Sequence, residues 1–190
     1  MVKLNKIYTR TGDDGTSGLV DGSRAAKSGP RLTAIGEVDE ANCAVGLAIA
    51  ELAGKAGFPD LGRVQNELFD LGADLATPFG TDFEAHALRM VPDQVERLER
   101  EIDAMNADLS PLTSFILPSG SRAIAAIHLA RAIVRRAERA AVALAERDEV
   151  NRHAVAYLNR LSDHLFVLAR AVAVGDGGEI LWQPGATRGD

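Results

Sequence analysis

The feature that most constrains the fold is the helical spacing of alanine, leucine and isoleucine through most of the chain. Apolar residues recur every three to four positions, and few stretches alternate apolar and polar residues as a half-buried strand does. No repeat runs through the sequence, which argues against a solenoid. The pattern predicts an all-α fold, a five-helix antiparallel bundle preceded by a polar N-terminal arm. The predicted helices cover residues 33–53, 61–76, 92–108, 120–147 and 151–174.

Local signals mark several ends of these helices. Pro92 followed by Asp93 suits the first turn of the third helix, Ser119 and Ser121 can cap the fourth, and Gly175 can end the fifth. With 190 residues and no Pro/Gly/Ser linker, the chain is predicted to form a single domain. That domain divides into an arm at 1–32, a bundle at 33–174 and a tail at 175–190.

The charge balance narrows the possible partners. The chain has 21 basic and 27 acidic residues and a formal net charge of −6, the wrong sign for a protein that follows a nucleic-acid backbone. No apolar run approaches the roughly 20 residues that span a bilayer, and the N-terminus lacks the apolar region of a signal peptide. These observations predict a cytoplasmic protein that binds neither nucleic acid nor membrane. The one cysteine, Cys43, is predicted to be a small core residue.

The segment at residues 6–18 is polar and rich in glycine, reading Lys-Ile-Tyr-Thr-Arg-Thr-Gly-Asp-Asp-Gly-Thr-Ser-Gly. Glycine lets backbone N–H groups turn toward a ligand, and the hydroxyl groups add further donors. This composition suits the oxygens of a polyphosphate. A polar surface turn is the competing interpretation, because Asp-Gly is a common turn pair.

Arginines are concentrated in the predicted fourth helix. Between Arg122 and Arg139 there are five arginines and one acidic residue. Arg131, Arg135, Glu138 and Arg139 fall on one side of the helix beside an apolar face, and we call these four residues the arginine stripe. Like charges three or four residues apart repel unless an anionic group lies between them, so the stripe indicates a partner carboxylate or a phosphate chain. A solvated face with local pairs such as Arg135 to Glu138 is the alternative.

Other predicted elements carry polar pairs and an aromatic ring. Asp39 and Asn42 share one face of the first helix, and Asn159 and Asp163 share one face of the fifth. Polar groups beside a core need partners, so each pair is expected to bond a ligand or the arginines. Phe115 begins an apolar strip before the fourth helix and is either a core anchor or a ring presented to a flat hydrophobic ligand.

Five segments together resemble the PduO-type corrinoid adenosyltransferases, enzymes that move the 5′-deoxyadenosyl group of ATP onto the cobalt of cob(I)alamin. The resemblance spans nearly the whole chain, and the order and spacing of the segments both fit. They are Tyr-Thr-Arg-Thr-Gly-Asp-Asp-Gly at 8–15, Gly-Glu-Val-Asp-Glu at 36–40, Phe-Ile-Leu-Pro-Ser-Gly-Ser at 115–121, Arg-Ala-Ile-Val-Arg-Arg-Ala-Glu-Arg at 131–139 and Tyr-Leu-Asn-Arg-Leu-Ser-Asp at 157–163.

The resemblance implies an ATP site built from two parts of the chain. The arm would contribute Thr9, Arg10, Thr11, Gly12, Ser17, Gly18 and Lys27. The bundle would contribute Arg135, Arg136, Ala137, Glu138, Arg139 and Asn159.

The resemblance also implies a corrinoid site and a trimer. Arg131 matches an arginine that pairs with an aspartate, here Asp39, across a subunit boundary, and Asp163 matches a polar position near the reaction centre. Phe115 and Phe166 match aromatic residues that face the corrin and keep its lower axial ligand away. Family members are trimers with active sites between neighbours, so a homotrimer is expected. The expected catalytic residues are Arg131, Arg135, Glu138, Asp39 and Asp163.

The implied chemistry asks the protein to position and neutralise its substrates. Reduced cobalt is itself the nucleophile that attacks the 5′ carbon of ATP, so no Ser, Cys or Lys nucleophile is expected, and no metal ligand set is assigned. Fixed Arg and Lys donors, together with Mg²⁺, would stabilise the departing triphosphate. A reductase and an adenosylcobalamin-dependent acceptor enzyme are the further partners that this function implies. The sequence departs from the family at Ser119, often glycine, and at Asp14, frequently lysine.

Two other classes of protein do not fit the sequence. A ferritin-like di-iron bundle needs Glu-x-x-His pairs, and none of the four histidines follows a glutamate at that spacing. The P-loop and dinucleotide-binding signatures are absent from the sequence. A non-catalytic ATP- or corrinoid-binding carrier with the same bundle remains the alternative.

Overall fold

A computed structural model describes residues 7–55 and 57–188 as a helical bundle preceded by a short hairpin. Lys6 and the rest of residues 1–6 of the predicted arm lie outside the described residues, as do positions 189–190 of the predicted tail. The elements are β1 (Thr16–Gly18), β2 (Arg24–Ala26), α1 (Pro30–Glu51), α2 (Leu61–Leu75), a 3₁₀ turn (Glu84–His86), α3 (Pro92–Asn106), α4 (Arg122–Ala145) and α5 (Arg152–Val174).

The all-α prediction and the order of the five helices are confirmed, with small shifts at the ends. α1 begins at Pro30 rather than residue 33, because the fixed φ of proline suits the first helical position. α3 begins at Pro92 as predicted, and Ser121 caps α4 by accepting a hydrogen bond from the Ile124 backbone N–H. Gly175 follows the last residue of α5.

α4 lies in the middle of the bundle, between α1 and α5. α1 packs against α2 and α4, and α5 packs against α3 and α4. The short connection between α4 and α5 makes this pair antiparallel neighbours. Among the described residues, none of the helices combines the length and apolar character needed to cross a bilayer. The apolar face predicted for α4 is fully buried, with Ile127, Val134, Ala137, Ala141 and Leu144 all at 0% exposure.

The arm contains an antiparallel hairpin that the sequence analysis did not predict. Thr16 of β1 lies opposite Ala26 of β2, and each strand has only three residues. Strands of three residues are too short to show an alternation of apolar and polar residues in the sequence. The turn of the hairpin is tied to the bundle because the Val20 N–H donates to the carbonyl oxygen of Ala76 at 3.0 Å, just after α2.

The prediction that Cys43 is a core residue is wrong, because its side chain is exposed. Val38, Ala41 and Val45 turn the buried face of α1 toward the bundle. Cys43 lies on the opposite side with Glu40 and Leu47, at a spacing of three and four residues. The apolar residues around Cys43 in the sequence did not show which side of the helix it would occupy.

Candidate functional site

An open cleft of about 330 Å³ lies between α4 and α5. It contains three of the four residues of the arginine stripe and one residue of the predicted polar pair on α5. The helical phase that buries Val134 and Leu144 turns the stripe toward α5. The cleft is lined by Arg135, Glu138, Arg139, Val142 and Asn159.

The polar contacts inside this cleft leave guanidinium groups available. Asn159 Nδ2 donates to Glu138 Oε1 at 2.7 Å, so Glu138 bonds across to α5 and does not form the local pair with Arg135. Arg139 Nη1 donates to the Arg135 carbonyl oxygen at 3.0 Å. Within the described ranges, neither Arg135 nor Arg139 forms an ion pair with a carboxylate. Both side chains can therefore donate to an anion in the cleft.

Two residues expected in the ATP site point elsewhere. Arg136 reaches toward α1 and forms ion pairs with Glu37 and Glu40. Hydrogen bonds to these two carboxylates raise the pKa of Arg136 above its ordinary value. Ala137 is completely buried in the core. Neither side chain lines the cleft that contains Arg135 and Arg139.

Arg131 lies one turn before the cleft, next to Phe166 of α5. Its guanidinium carbon is 5.9 Å from the centroid of the Phe166 ring, at the distance of a cation–π contact. Its Nε is buried without a hydrogen-bond partner. Burial, followed by the positive charge of Arg135, lowers the pKa of Arg131. No carboxylate of the described chain pairs with this guanidinium, so its environment favours an added anion.

Asp39 does not meet Arg131 within one chain. It lies at an apolar groove of about 460 Å³ between α1 and α2, beside Ile35 and Phe69. The Phe69 ring is 71% exposed. Across residues 7–55 and 57–188, the Asp39 carboxylate forms no hydrogen bond or ion pair. Its predicted neighbour Asn42 is instead buried and donates to the Gln65 carbonyl oxygen at 3.0 Å.

Asp163 bonds along its own helix and not to the arginines of α4. Its Oδ2 accepts from Arg160 Nη1 at 3.0 Å, and Arg160 Nε also donates to Glu99 at 3.0 Å. Asp163 is exposed and precedes Phe166 by one turn. It therefore lies on the α5 surface beside the Arg131–Phe166 contact.

Phe115 is 76% exposed, which rules out the core-anchor interpretation. Its ring contacts Trp182 with centroids 6.0 Å apart and an interplanar angle of 54°. The backbone N–H of Trp182 donates to the Phe115 carbonyl oxygen at 2.7 Å. The backbone N–H of Leu117 donates to the Ile180 carbonyl oxygen at 2.8 Å. The tail thus pairs with the strip before α4. Sequence reasoning missed this pairing, because no local signal connects segments so far apart in the chain.

His128 lies beneath this strip, one turn before Arg131. Its ring is 3% exposed, and Nδ1 has no hydrogen-bond partner. Burial, together with the charge of Arg131, lowers the pKa of His128. This histidine is therefore neutral near pH 7.

In the arm, two basic side chains hold the loop in place. Lys27 Nζ donates to the Gly12 carbonyl oxygen at 2.8 Å. Arg24 donates from Nε to Thr16 Oγ1 at 2.7 Å and from Nη2 to the Thr11 carbonyl oxygen at 2.6 Å. A Cβ on Gly12 would lie 3.1 Å from the Thr16 carbonyl oxygen, so this position suits glycine. Sequence reasoning missed Arg24, which lies outside the motif at 8–15.

The remaining arm residues form an exposed, turn-rich surface. Thr9 Oγ1 and Thr11 Oγ1 are 2.8 Å apart, and Arg10 has the left-handed φ of 64°. Ser17 and Gly18 belong to β1. Asp14, at a position that is frequently lysine in the resembled family, accepts from both the N–H and Oγ1 of Thr16. These hydrogen bonds lower the pKa of Asp14, and they give it the role of holding a turn.

The arm and the cleft are not joined within one chain. No hydrogen bond or ion pair of the described residues connects 9–27 with Arg135, Glu138, Arg139 or Asn159. The described residues also contain no group of three or more His, Cys, Asp and Glu side chains placed to hold a metal ion. Within one subunit, no direct polar contact of the described residues holds the arm against the cleft.

Comparisons with known proteins agree on one family. The model of the family described as cobalamin adenosyltransferase matches residues 7–172. The corrinoid adenosyltransferase of Mycobacterium tuberculosis is 49% identical, with 98% of this chain and 97% of that protein covered. The corrinoid adenosyltransferase of Bacillus subtilis is 44% identical, with 90% and 89% covered.

Solved structures show the same similarity. A variant of the PduO-type ATP:corrinoid adenosyltransferase from Lactobacillus reuteri, complexed with cobalamin and ATP, matches with a TM-score of 0.85 and 34% identity. The match covers 94% of this chain and 97% of that one. The likeness thus extends from the sequence motifs to the arrangement of the helices.

Proposed function

Because the chain belongs to the cobalamin adenosyltransferase family, we propose that it transfers the 5′-deoxyadenosyl group of ATP to the cobalt of cob(I)alamin. The products are adenosylcobalamin and triphosphate. The observation that carries the proposal is the cleft in which Arg135 and Arg139 lack a carboxylate partner among the described residues, next to the Arg131–Phe166 contact.

The cleft would act on the leaving group. As the cobalt–carbon bond forms from the cobalt electron pair, the bond between the 5′ carbon and its oxygen breaks, and that oxygen keeps the bonding electrons. Cobalt is formally oxidised by two electrons. Arg135 and Arg139 donate to the triphosphate as this charge develops, while the hydrogen bond from Asn159 fixes Glu138 beside them. Fixed donors stabilise the transition state without reorganising.

The arm would supply the second set of contacts to ATP. The exposed hydroxyl groups of Thr9 and Thr11, the half-buried hydroxyl of Ser17 and the glycines at Gly12 and Gly18 suit phosphate oxygens. Lys27 holds the Gly12 carbonyl oxygen in this structure, so the loop and its ammonium group are already adjacent. Arg10 lies between the two threonines.

Magnesium would enter with the triphosphate. Mg²⁺ is commonly held by one or two carboxylates together with substrate phosphates. Glu138 is the one carboxylate in the lining of the cleft, so it fits this role. When bound, the ion would neutralise part of the phosphate charge.

The corrinoid would lie beside Phe115 and Phe166. Phe115 is exposed and Phe166 contacts Arg131 one turn before the cleft, so both rings are available to a flat ligand. Apolar rings exclude water, and in the proposed mechanism they keep the lower axial ligand off the cobalt. Asp163 lies one turn from Phe166 and would contact polar groups near the reaction centre.

The active site is proposed to lie between subunits of a homotrimer, in which Asp39 of one subunit pairs with Arg131 of the next. The support is that neither side chain has an ion-pair partner within the described chain and that no hydrogen bond or ion pair of the described residues joins the arm to the cleft. Asp39→Ala is expected to weaken assembly and activity together, as measured by sedimentation and turnover. An unchanged sedimentation coefficient with unchanged turnover would remove this bridge.

The setting of the reaction is also proposed. We place the protein in the cytoplasm, where a reductase supplies cob(I)alamin and an adenosylcobalamin-dependent enzyme accepts the product.

The proposed function is tested by anaerobic incubation with ATP and chemically reduced cobalamin. A light-sensitive alkylcobalt spectrum and one triphosphate per turnover are expected. Binding of both substrates without either product would instead support a non-catalytic carrier.

A further inference from the structure

One buried arginine connects the tail to the rest of the protein. Arg170 lies on α5 and is 7% exposed. Its Nε donates to Glu179 Oε1 at 2.6 Å, and its Nη2 donates to the Ser110 carbonyl oxygen at 2.7 Å. Arg170 therefore joins three segments: the helix, the connection between α3 and α4, and the tail.

The tail continues from Glu179 directly into the pairing with the strip. Ile116 and Leu181 form an antiparallel bridge, and Ser114 Oγ donates to the Trp182 carbonyl oxygen at 2.7 Å. The Phe115 backbone is thus held between two contacts to the tail. A tail of exposed residues after a helix would otherwise be expected to fray.

The strip that begins at Phe115 lies about one helical turn from the Arg131–Phe166 contact, toward the start of α4. A small cavity beneath it is lined by residues of the strip, the tail and both helices, including Ile116, His128, Ala169, Arg170 and Glu179. His128 precedes Arg131 by one turn, and Ala169 follows Phe166 by one turn. The position of the Phe115 ring is therefore determined by the same stretch of α4 and α5 that carries Arg131 and Phe166.

We infer that Arg170 is a positioning residue for the corrinoid: through Glu179 it fixes the tail against the strip and so holds the Phe115 ring in place. This inference rests on the proposed function. Arg170 does not touch the reacting atoms, because its guanidinium is buried and bonds to Glu179 and Ser110. Removing Glu179 leaves the buried charge with only a carbonyl partner, which favours release of the tail.

The inference predicts a selective kinetic effect. Releasing the tail disorders the ring that faces the corrinoid, whereas the arginine cleft and the arm keep their own contacts. We expect Glu179→Ala to raise KM for cobalamin roughly three- to tenfold and to leave KM for ATP within about twofold. A loss of general folding would change both constants.

The chain carries its own probe of the tail, because Trp182 is the only tryptophan. The experiment compares wild type with Glu179→Ala, Arg170→Lys and the matched control Glu149→Ala. Glu149 is an exposed glutamate in the connection before α5 and forms no ion pair within the described chain. Each protein is measured for tryptophan emission and acrylamide quenching without substrate, for both KM values, and for helix content by circular dichroism.

The expected result is red-shifted, more strongly quenched emission in Glu179→Ala together with the raised KM for cobalamin. Arg170→Lys, which keeps the charge, should fall between Glu179→Ala and wild type, and Glu149→Ala should match wild type. A change in emission alone, a change in KM alone, or equal rises of both KM values would overturn the inference. If wild type makes no adenosylcobalamin, the proposed function fails, and the emission data still decide whether Glu179 holds the tail.

Discussion

Two charged regions of this bundle differ in how their charges are balanced. Between α2, α3 and α5, Arg97 pairs with Glu67 and Glu101, Tyr157 donates to Glu67 at 2.7 Å, and His164 bonds Glu101 at 2.8 Å. We call these five residues the core network. In the arginine stripe, by contrast, Glu138 bonds Asn159, and none of the three arginines has a carboxylate partner within the described chain.

The difference separates a structural role from a binding role. In the core network, burial acts to raise the pKa of Glu101, but hydrogen bonds from His164 and Arg97 outweigh it and lower the pKa. The cation there, Arg97, has two anions from the same chain. The stripe keeps its positive charge uncompensated, although like charges at this spacing repel. Such an arrangement is stabilised by a ligand that brings negative charge.

The largest expected effect on stability comes from a substitution that breaks the core network. Arg97→Ala leaves the Glu67 carboxylate buried without its cation and should lower the free energy of unfolding by about 3–5 kcal/mol. Urea denaturation measures this loss. Arg100→Ala, on the exposed face of the same helix, is the control and should change stability by less than about 0.5 kcal/mol. Equal effects of the two substitutions would contradict the structural role of the network.

The stripe should respond in activity rather than in stability. Arg135→Ala removes a donor to the triphosphate and is expected to lower kcat/KM by about 10²- to 10³-fold, with little change in the urea midpoint. Steady-state kinetics with ATP and reduced cobalamin measure the effect, and Arg100→Ala again serves as control. An unchanged kcat/KM for ATP would remove Arg135 from this role.

Arg136 sharpens the comparison, because it lies next to Arg135 in sequence but pairs with Glu37 and Glu40. Arg136→Ala should lower Tm only slightly, because ion pairs open to solvent contribute little to stability. Its effect on kcat/KM should be much smaller than that of Arg135→Ala. If both variants lose activity equally, the division of α4 into a binding side and a packing side is wrong.

The smallest expected effect concerns pH. The unfolded chain binds a proton at His128 near the ordinary pKa of 6.5, whereas the folded protein has a lowered pKa there. Stability should therefore fall as pH drops through the ordinary pKa toward the folded one. Unfolding free energies between about pH 7.5 and 5.5 should depend less on pH in His128→Gln than in wild type. An identical slope in both proteins would show that His128 does not contribute.

Much of the fold could be predicted because its signals are local. Pro92 suits the first position of a helix and Ser121 caps one with its hydroxyl, so both mark helix starts locally. The apolar face of α4 follows from the helical spacing of its own residues. The stripe was visible for the same reason. Its uncompensated charge within one chain was not, because that depends on which residues of other helices reach it.

The parts that were missed depend on distant segments. The pairing of Trp182 with Phe115 joins the tail to the strip before α4, and neither segment shows a strand pattern. The exposure of Cys43 reflects the direction from which α2 and α4 pack against α1. The role of Arg170 likewise depends on Glu179 and Ser110 meeting at one point.

The most direct test of the central claim is calorimetric binding of inorganic triphosphate. We predict that wild type binds triphosphate, that Arg100→Ala binds it equally well, and that Arg135→Ala binds it at least about tenfold more weakly. Equal affinity of wild type and Arg135→Ala would contradict the claim that the unpaired arginines of α4 hold the leaving group.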